Sequence, residues 1–308
     1  MDFTLNIAGS PHIKAPRTTR KIMLNVIIAL LPTLLAGGII FGKRAFLVVI
    51  TCIAAAVVSE YIFNLIVKKE QTTDDLTAVV TGLLLGLNLP VSIPVWQCII
   101  GSVFATVVVK GFFGGLGKNI VNPAITARVF MLIAFSSVSV AGFGKGVDAV
   151  SGATPLVELA TGGKVSITSL FLGTVGGAIG ETCKLTLLIG FVYLLITKVI
   201  TWHIPICYIG SAYVFTLLFT GFDFYNSLLL ILSGGLFIGA IFMATDYVTS
   251  PPTPLGKVIF GIGAGFLTVV IRFYSNYPEG VSFAILLMNI LSPYIEKATA
   301  KKLFGGNK

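Results

Sequence analysis

The fold is decided by one stretch, Leu76-Thr77-Ala78-Val79-Val80-Thr81-Gly82-Leu83-Leu84-Leu85-Gly86-Leu87-Asn88-Leu89, the break Pro90-Val91-Ser92-Ile93-Pro94, and a second apolar run from Val95 to Val109. Neither run alternates polar and apolar residues, so both read as helices rather than strands. Each falls short of the roughly 20 apolar residues that cross a bilayer. Short, proline-broken helices of this kind are stable where they end inside a cavity lined by protein. The rest of the chain agrees. Of its 308 residues 56% are hydrophobic and 11% are charged, with a mean hydropathy of +0.98. Soluble domains carry roughly 25% charged residues. A cytosolic enzyme, a disulfide-stapled secreted domain and a disordered chain are therefore excluded. In lipid the backbone must pair internally, which leaves helices or a closed barrel, and the absence of alternation selects helices.

Working outward from this stretch, the sequence predicts ten spans, at 22–41, 45–67, 76–89, 95–109, 124–140, 185–200, 204–221, 225–244, 258–271 and 281–295. Basic residues favour the cytoplasmic side. With the N-terminus inside, 15 of the 21 Lys and Arg fall on cytoplasmic segments. Both termini are then cytoplasmic, and the one long loop, 141–184, is extracytoplasmic. The Lys43/Arg44 pair is the weakest point of that count. The net charge of +9 is explained by lipid-facing helix ends, and no nucleic-acid partner is expected. No cleavable signal peptide is expected either, because the polar start, 1–21, runs into a full-length span.

The halves resemble each other. Thr81-Gly82-Leu83-Leu84, the prolines at 90 and 94, a helix ending at Lys110, and Asn122-Pro123 have counterparts in the second half. These are Ser233-Gly234-Gly235-Leu236, the run Thr249 to Pro254, a helix ending at Arg272, and Pro278-Glu279-Gly280. Five spans per half is an odd number, so the second repeat is inverted. The expected fold is an all-α polytopic membrane protein of about ten transmembrane helices in two inverted five-helix repeats. Its parts are a cytoplasmic segment 1–21, a first repeat 22–140, an extracytoplasmic loop 141–184, a second repeat 185–296 and a basic cytoplasmic tail 297–308.

Ionisable residues within spans are costly and are functional candidates by default. Glu60 and Glu181 are the candidates for an ion path. For Glu60 the alternative is a snorkelling helix-end residue, and for Glu181 a helix-start cap. Arg128 reads either as reaching headgroups or as anchoring a broken helix after Asn122-Pro123. Asp74, Asp75 and Asp246 read as solvated loop residues, and Trp96 and Trp202 as interface anchors. The four cysteines, Cys52, Cys98, Cys183 and Cys207, form no CxxC pair, and the two histidines, His12 and His203, lie outside the spans. No metal centre and no catalytic side chain is expected.

The loop contains Asp148-Ala149-Val150-Ser151-Gly152-Ala153-Thr154-Pro155-Leu156. By composition this reads as an ordinary open loop of small residues, whose one nucleophile with an exposed approach is the Thr154 hydroxyl, flanked by a stiffening Pro155. It resembles the flavinylation motif, in which a flavin transferase esterifies the Thr hydroxyl to the phosphate of FMN. Asp148, Ser151, Gly152, Ala153 and Thr154 all fit it. Three further blocks resemble the same family: Ser10-Pro11-His12 with Thr19, Ile22, Met23 and Leu30-Leu31-Pro32; Gly114 to Asn119 leading to Asn122-Pro123-Ala124; and Gly176 to Thr182. Together they span nearly the whole chain. They identify it as similar to the NqrB/RnfD family, with the Rnf branch closer because NqrB chains are longer at the N-terminus.

That resemblance implies a component of a bacterial inner-membrane complex that couples electron transfer from ferredoxin to NAD⁺ with export of Na⁺ or H⁺. It implies FMN bound covalently at Thr154, recognised by the transferase through Asp148, Ser151, Gly152 and Ala153. A noncovalent riboflavin is also a family feature, which no residue here locates. The implied partners are the A, B, C, E and G subunits of the Rnf complex, above all the G subunit with its own covalent flavin, together with the flavin transferase and membrane lipid. The competing readings are a stand-alone, urea-channel-like solute or ion channel, and the B subunit of a sodium-pumping NADH:quinone oxidoreductase.

Overall fold

The computed structural model of the chain describes residues 18–135, 155–160, 165–275 and 280–300. Every regular element among them is helical. Helix α1 (Thr19–Phe41) starts on Thr18, whose hydroxyl accepts from Lys21 N, and α2 (Lys43–Val67) follows after one residue. That residue is Gly42, at φ +79°, a left-handed conformation that a side chain would oppose. It lets two helices of 23 and 25 residues double back almost without a loop. At 1.5 Å per residue each is roughly 35 Å long, enough to cross a hydrocarbon layer of about 30 Å.

The stretch that decides the fold forms α3 (Thr77–Leu87) and α4 (Val95–Gly111), separated by the proline-bounded break. With 11 residues, α3 is roughly 16 Å long, about half a membrane. Its Gly82 and Gly86 lie against α2 so closely that an added Cβ would stand 2.7 Å from Cys52 O and 2.9 Å from Val49 Cα. Small residues at this spacing are how helices approach each other where lipid supplies no hydrophobic drive. The last eight residues of α4, Phe104–Gly111, are wound as π-helix. Next comes α5 (Pro123–Ala134), with proline in its first turn and the Asn122 carboxamide accepting from Ala124 N and Ile125 N. The predicted fifth span, 124–140, is thus helical to Ala134, and its last residues lie outside those described.

Two short helices, α6 (Pro155–Ala160) and α7 (Ile167–Leu172), precede α8 (Lys184–Ile196) and α9 (His203–Phe219). The predicted span 185–200 ends as helix at Ile196. The predicted span 225–244 is two helices, α10 (Phe224–Leu232) and α11 (Leu236–Met243), meeting at 66° across Ser233-Gly234-Gly235. Gly234 takes φ +71° there. A second π-helical segment, Gly239–Met243, ends α11. Helices α12 (Pro254–Tyr274) and α13 (Val281–Thr299) complete the chain.

Among the described residues four helices, α1, α2, α12 and α13, are long and apolar enough to cross a membrane, or five spans if the bent pair α10–α11 counts as one. The other predicted spans are apolar helices of 10–17 residues. They lie at the predicted places but are shorter than a full crossing.

Short helices leave unpaired carbonyls at their ends, and the structure shows where these go. Arg128, 3% exposed, donates to the backbone O of Asn88 at the end of α3, and to its side-chain Oδ1 at 2.8 Å. Of the two readings of Arg128, anchoring of a broken helix is the one observed. Gly180 N donates to Leu87 O at 2.7 Å and Ile179 N to Leu89 O at 3.2 Å, so the glycine-rich stretch before α8 seals the same end. Across the break in the second half, Arg272 donates to Leu230 O at 2.8 Å and Ser233 O at 3.2 Å. Arg128→Met strands the Asn88 acceptors and is expected to cost about 1–3 kcal/mol. It should show as a lower temperature of aggregation in detergent; an unchanged temperature would remove Arg128 as the anchor of α3.

Candidate functional site

Two buried polar clusters stand out in this apolar body. The first is built on α2, α3 and α4. Glu60 and Lys110, each 4% exposed, form a two-pronged ion pair with both Nζ–O distances at 2.9 Å. The Lys110 ammonium also donates to Thr77 Oγ1 at 2.5 Å. The Thr77 hydroxyl donates in turn to Asp75 Oδ1 at 2.5 Å, and Thr77 N to the same oxygen at 2.9 Å. Thr72 donates to Glu60 Oε1 at 2.7 Å, and Asn64 to Thr72 at 3.2 Å. Lys110 is therefore held directly by one carboxylate and through a hydroxyl by another. Asp75 is half-buried in the turn before α3, where its carboxylate accepts from the first residue of the helix.

Lys110 also lines a cavity of about 90 Å³. Thr77, Thr81, Asn119, Asn122, Thr245 and Asp246 supply its polar wall, and Val80, Leu84 and Phe242 part of its apolar wall. Both π-helical segments contribute, through Lys110 and Phe242. Such bulges often mark functional positions, because they re-aim side chains. Asn122 ties the halves together here, donating to Met243 O at 3.2 Å. Asp246 accepts from Thr249 Oγ1 at 3.1 Å, and burial pushes its carboxyl up from the ordinary value. A second cavity, of about 280 Å³, shares Val199, Ile200, Thr245 and Tyr247 with the first and extends to Ser250 and Lys257.

The second cluster lies at the bend between α10 and α11. Lys184, 2% exposed, donates to the backbone O of Glu181, and to Gly234 O at 3.2 Å. Glu181 Oε1 accepts from Ala178 N at 2.8 Å, which closes the turn leading into α8. Pro155 and Leu156, the residues that follow the proposed attachment threonine, are buried on this cluster. They line a pocket of about 20 Å³ with Glu181, Thr182, Lys184 and Gly234. A Cβ added to Gly234 would stand 2.8 Å from Leu156 Cδ1 and 3.4 Å from Arg272 Nη2. Asp148, Ser151, Gly152, Ala153 and Thr154 lie outside the described residues.

The structure thus separates Glu60 and Glu181 into different clusters and gives each a basic neighbour. In the sequence Lys110, Lys184 and Arg272 count only as helix-end charges. No local signal separates these roles, because a charge that ends an apolar run looks the same whether it meets headgroups or a neighbouring helix. Among the described residues no group of three or more His, Cys, Asp or Glu could hold a metal ion.

Residues 6–305 match the family model described as the NQR2, RnfD, RnfE family. The chain is 44% identical to the D subunit of the Na⁺-translocating ferredoxin:NAD⁺ oxidoreductase complex of Acetobacterium woodii, over all of this chain and 97% of that one. It is 41% identical to the D subunit of the proton-translocating ferredoxin:NAD⁺ oxidoreductase complex of Clostridium ljungdahlii, covering 97% and 96%. It is 36% identical to the D subunit of an ion-translocating oxidoreductase complex of Stutzerimonas stutzeri, covering 93% and 92%.

Removing one partner of a buried ion pair costs about 3–5 kcal/mol, whereas removing both is often near neutral. Glu60→Gln and Lys110→Met alone should each lower thermal stability in detergent, and the double variant should regain most of the loss. A double variant as unstable as the sum of the singles would show that the two residues are not energetically paired.

Proposed function

The chain belongs to the NQR2, RnfD, RnfE family, and on that premise we propose that it is the membrane electron-transfer subunit of a redox-driven Na⁺ or H⁺ pump. The complex would couple ferredoxin oxidation to NAD⁺ reduction, with FMN esterified to Thr154 of this subunit. The observation that carries the reading is end-to-end similarity to relatives named as the D subunits of such complexes. The flavinylation motif at 148–154 adds the cofactor. A urea-channel-like protein would share the short, broken helices but has no use for that motif.

The proposed topology has ten spans in two inverted repeats, in the bacterial inner membrane. Both termini face the cytoplasm and the loop 141–184 faces outward, where the flavin transferase acts. Support comes from α3 and α10. Each is the third apolar segment of its half, each stops early, and each has its terminal carbonyls bound by an arginine of the same half. The proposed partners are the A, B, C, E and G subunits, with G exchanging electrons with the outer loop.

FMN bound at Thr154 supplies electron storage and transfer. The chain's own residues do the rest. Pro155 and Leu156 pack on the Glu181–Lys184 cluster and fix the end of the attachment segment. The cavity beside Lys110 gives an ion a polar wall between the halves. Glu60 and Glu181 are the ion-path candidates, and the geometry sets a condition on the first. Glu60 can bind a moving cation only when Lys110 withdraws, because the ammonium occupies both of its oxygens.

Coexpressed with a flavin transferase and run on a denaturing gel, the wild-type band is expected to fluoresce as a flavin and the Thr154→Val band to be dark. A fluorescent variant would move the attachment site elsewhere, and a dark wild type would overturn covalent flavin.

A further inference from the structure

We infer that the second cavity, beside Lys257, seats the phosphate of an anionic phospholipid headgroup. The cavity lies at helix ends, between the turn that joins α8 to α9, the stretch 245–252 and the first turn of α12. It measures about 280 Å³. One water needs about 10–15 Å³, so a phosphate fits together with the glycerol that carries it. The inference needs the membrane fold but neither the flavin nor the ion path.

Charge selects the ligand. Among the described residues that line the cavity, Lys257 is the one with a formal charge. The Asp246 carboxylate, next to Tyr247 in the chain, lines the first cavity instead and accepts from Thr249 Oγ1 at 3.1 Å. An ammonium has three donors. Lys257 gives one to Thr201 Oγ1, at 3.1 Å, which leaves two for an oxyanion. Thr201 accepts that bond and so has its own hydroxyl hydrogen to donate. The hydroxyls of Ser250 and Thr245 are committed elsewhere, to Asp246 O at 2.6 Å and Ile241 O at 2.7 Å. The available donors are therefore those of Lys257 and Thr201, side by side. Bonds from a charged donor to an anionic oxygen are roughly twice as strong as neutral ones.

Position selects the source of the phosphate. Thr201 is followed by Trp202, 51% exposed, and Tyr247 on the cavity wall is 55% exposed. Exposed Trp and Tyr at helix ends mark the depth of the headgroups. Val199, Ile200, Ile204, Pro251 and Pro252 make much of the wall apolar. A hydrated inorganic phosphate has no use for that surface, whereas the glycerol and ester carbons of a lipid cover it. Basic pockets between membrane helices on the cytoplasmic side hold anionic headgroups, and the proposed topology puts Lys257 on that side.

The full chain is purified in dodecyl maltoside as wild type, Lys257→Met, Lys257→Arg, Thr201→Val and Lys297→Met. Lys297, in the last turn of α13, does not line the cavity. Each protein is titrated with dioleoylphosphatidylglycerol, with dioleoylphosphatidylcholine, whose choline sets a second cation beside Lys257, and with inorganic phosphate. Thermal unfolding and the lipid adducts retained in native mass spectra are read. Phosphatidylglycerol should raise the melting temperature of the wild type above the phosphatidylcholine value and stay bound. Lys257→Met should lose at least half of that rise and most of the adduct, while Lys257→Arg and Lys297→Met keep both. Equal losses in Lys257→Met and Lys297→Met would show a diffuse attraction to negative lipid and overturn the site. A rise produced equally by inorganic phosphate would make this a site for a soluble anion and overturn the lipid. A wild type that does not distinguish the two lipids overturns the inference outright. Should Lys257→Met fail to accumulate, the nearly isosteric Thr201→Val carries the test: it should lose part of the rise, and an unchanged rise overturns the shared seat.

Discussion

Carbonyl groups at the ends of short helices, buried where no bulk water reaches them, are the constraint on which the structure depends. A full-length membrane helix carries its ends out to water. Helices α3 and α10 stop early, and each stranded acceptor must find a donor inside the body. The chain meets this with cations and with one irregular stretch. Arg128 serves Asn88, Arg272 serves Leu230 and Ser233, and Lys184 serves Glu181 and Gly234. The backbone of Ile179 and Gly180 serves Leu89 and Leu87. Hydrogen bonds from charged donors are worth about 1.5–3 kcal/mol each, which offsets part of the cost of burying the charge. The same bonds fix where the helices end, and so where the cavity between the halves can open.

Placement of the cations also restricts how an ion could move. The cavity that runs between the halves is bordered by Lys110 on one side and by Asp246 on another. A cation entering it meets a positive charge unless Glu60 keeps that charge neutralised, as the observed ion pair does. On the proposed reading the pair has a use even if Glu60 never binds the ion: it neutralises the lysine that walls the cavity. This is a different role from the one an isolated buried carboxylate suggests, and it depends on a partner fifty positions along the chain.

Much of this is legible in the sequence and some is not, for identifiable reasons. The apolar runs locate the helices because burial and lipid exposure both act through hydropathy. Proline locates the break after α3, because the ring cannot continue a helix. The bend at 233–235 stands out as a repeat element yet reads as part of one continuous span, 225–244. Gly234 and Gly235 do not interrupt the apolar run, and only the backbone shows that Gly234 takes a left-handed φ. Lys110, Lys184 and Arg272 are invisible as site residues because a charge at the end of a run looks the same whether it faces headgroups or a neighbouring helix's carbonyls. Glu60 stands out by its cost, but its partner depends on how α2 meets α4, which no local pattern encodes.

The two clusters are not independent, and α3 is the reason. Its Leu84 lines the cavity beside Lys110, while the carbonyls of Leu87 and Leu89, at and just beyond its last turn, hold the backbone of 179–180. Glu181 and Thr182 follow directly, and they line the pocket on which Pro155 and Leu156 rest. One short helix therefore touches the proposed ion cavity at one point and, through two backbone hydrogen bonds, the stretch that carries Pro155 and Leu156 at another. Coupling between distant sites needs an element with two arrangements that both sites bias. A helix of 11 residues, buried at one end and held there by side-chain and backbone donors, is a smaller unit to move than a full span anchored at both membrane faces. On the proposed reading, the short helices are where electron transfer at the outer loop and ion movement near Lys110 would meet.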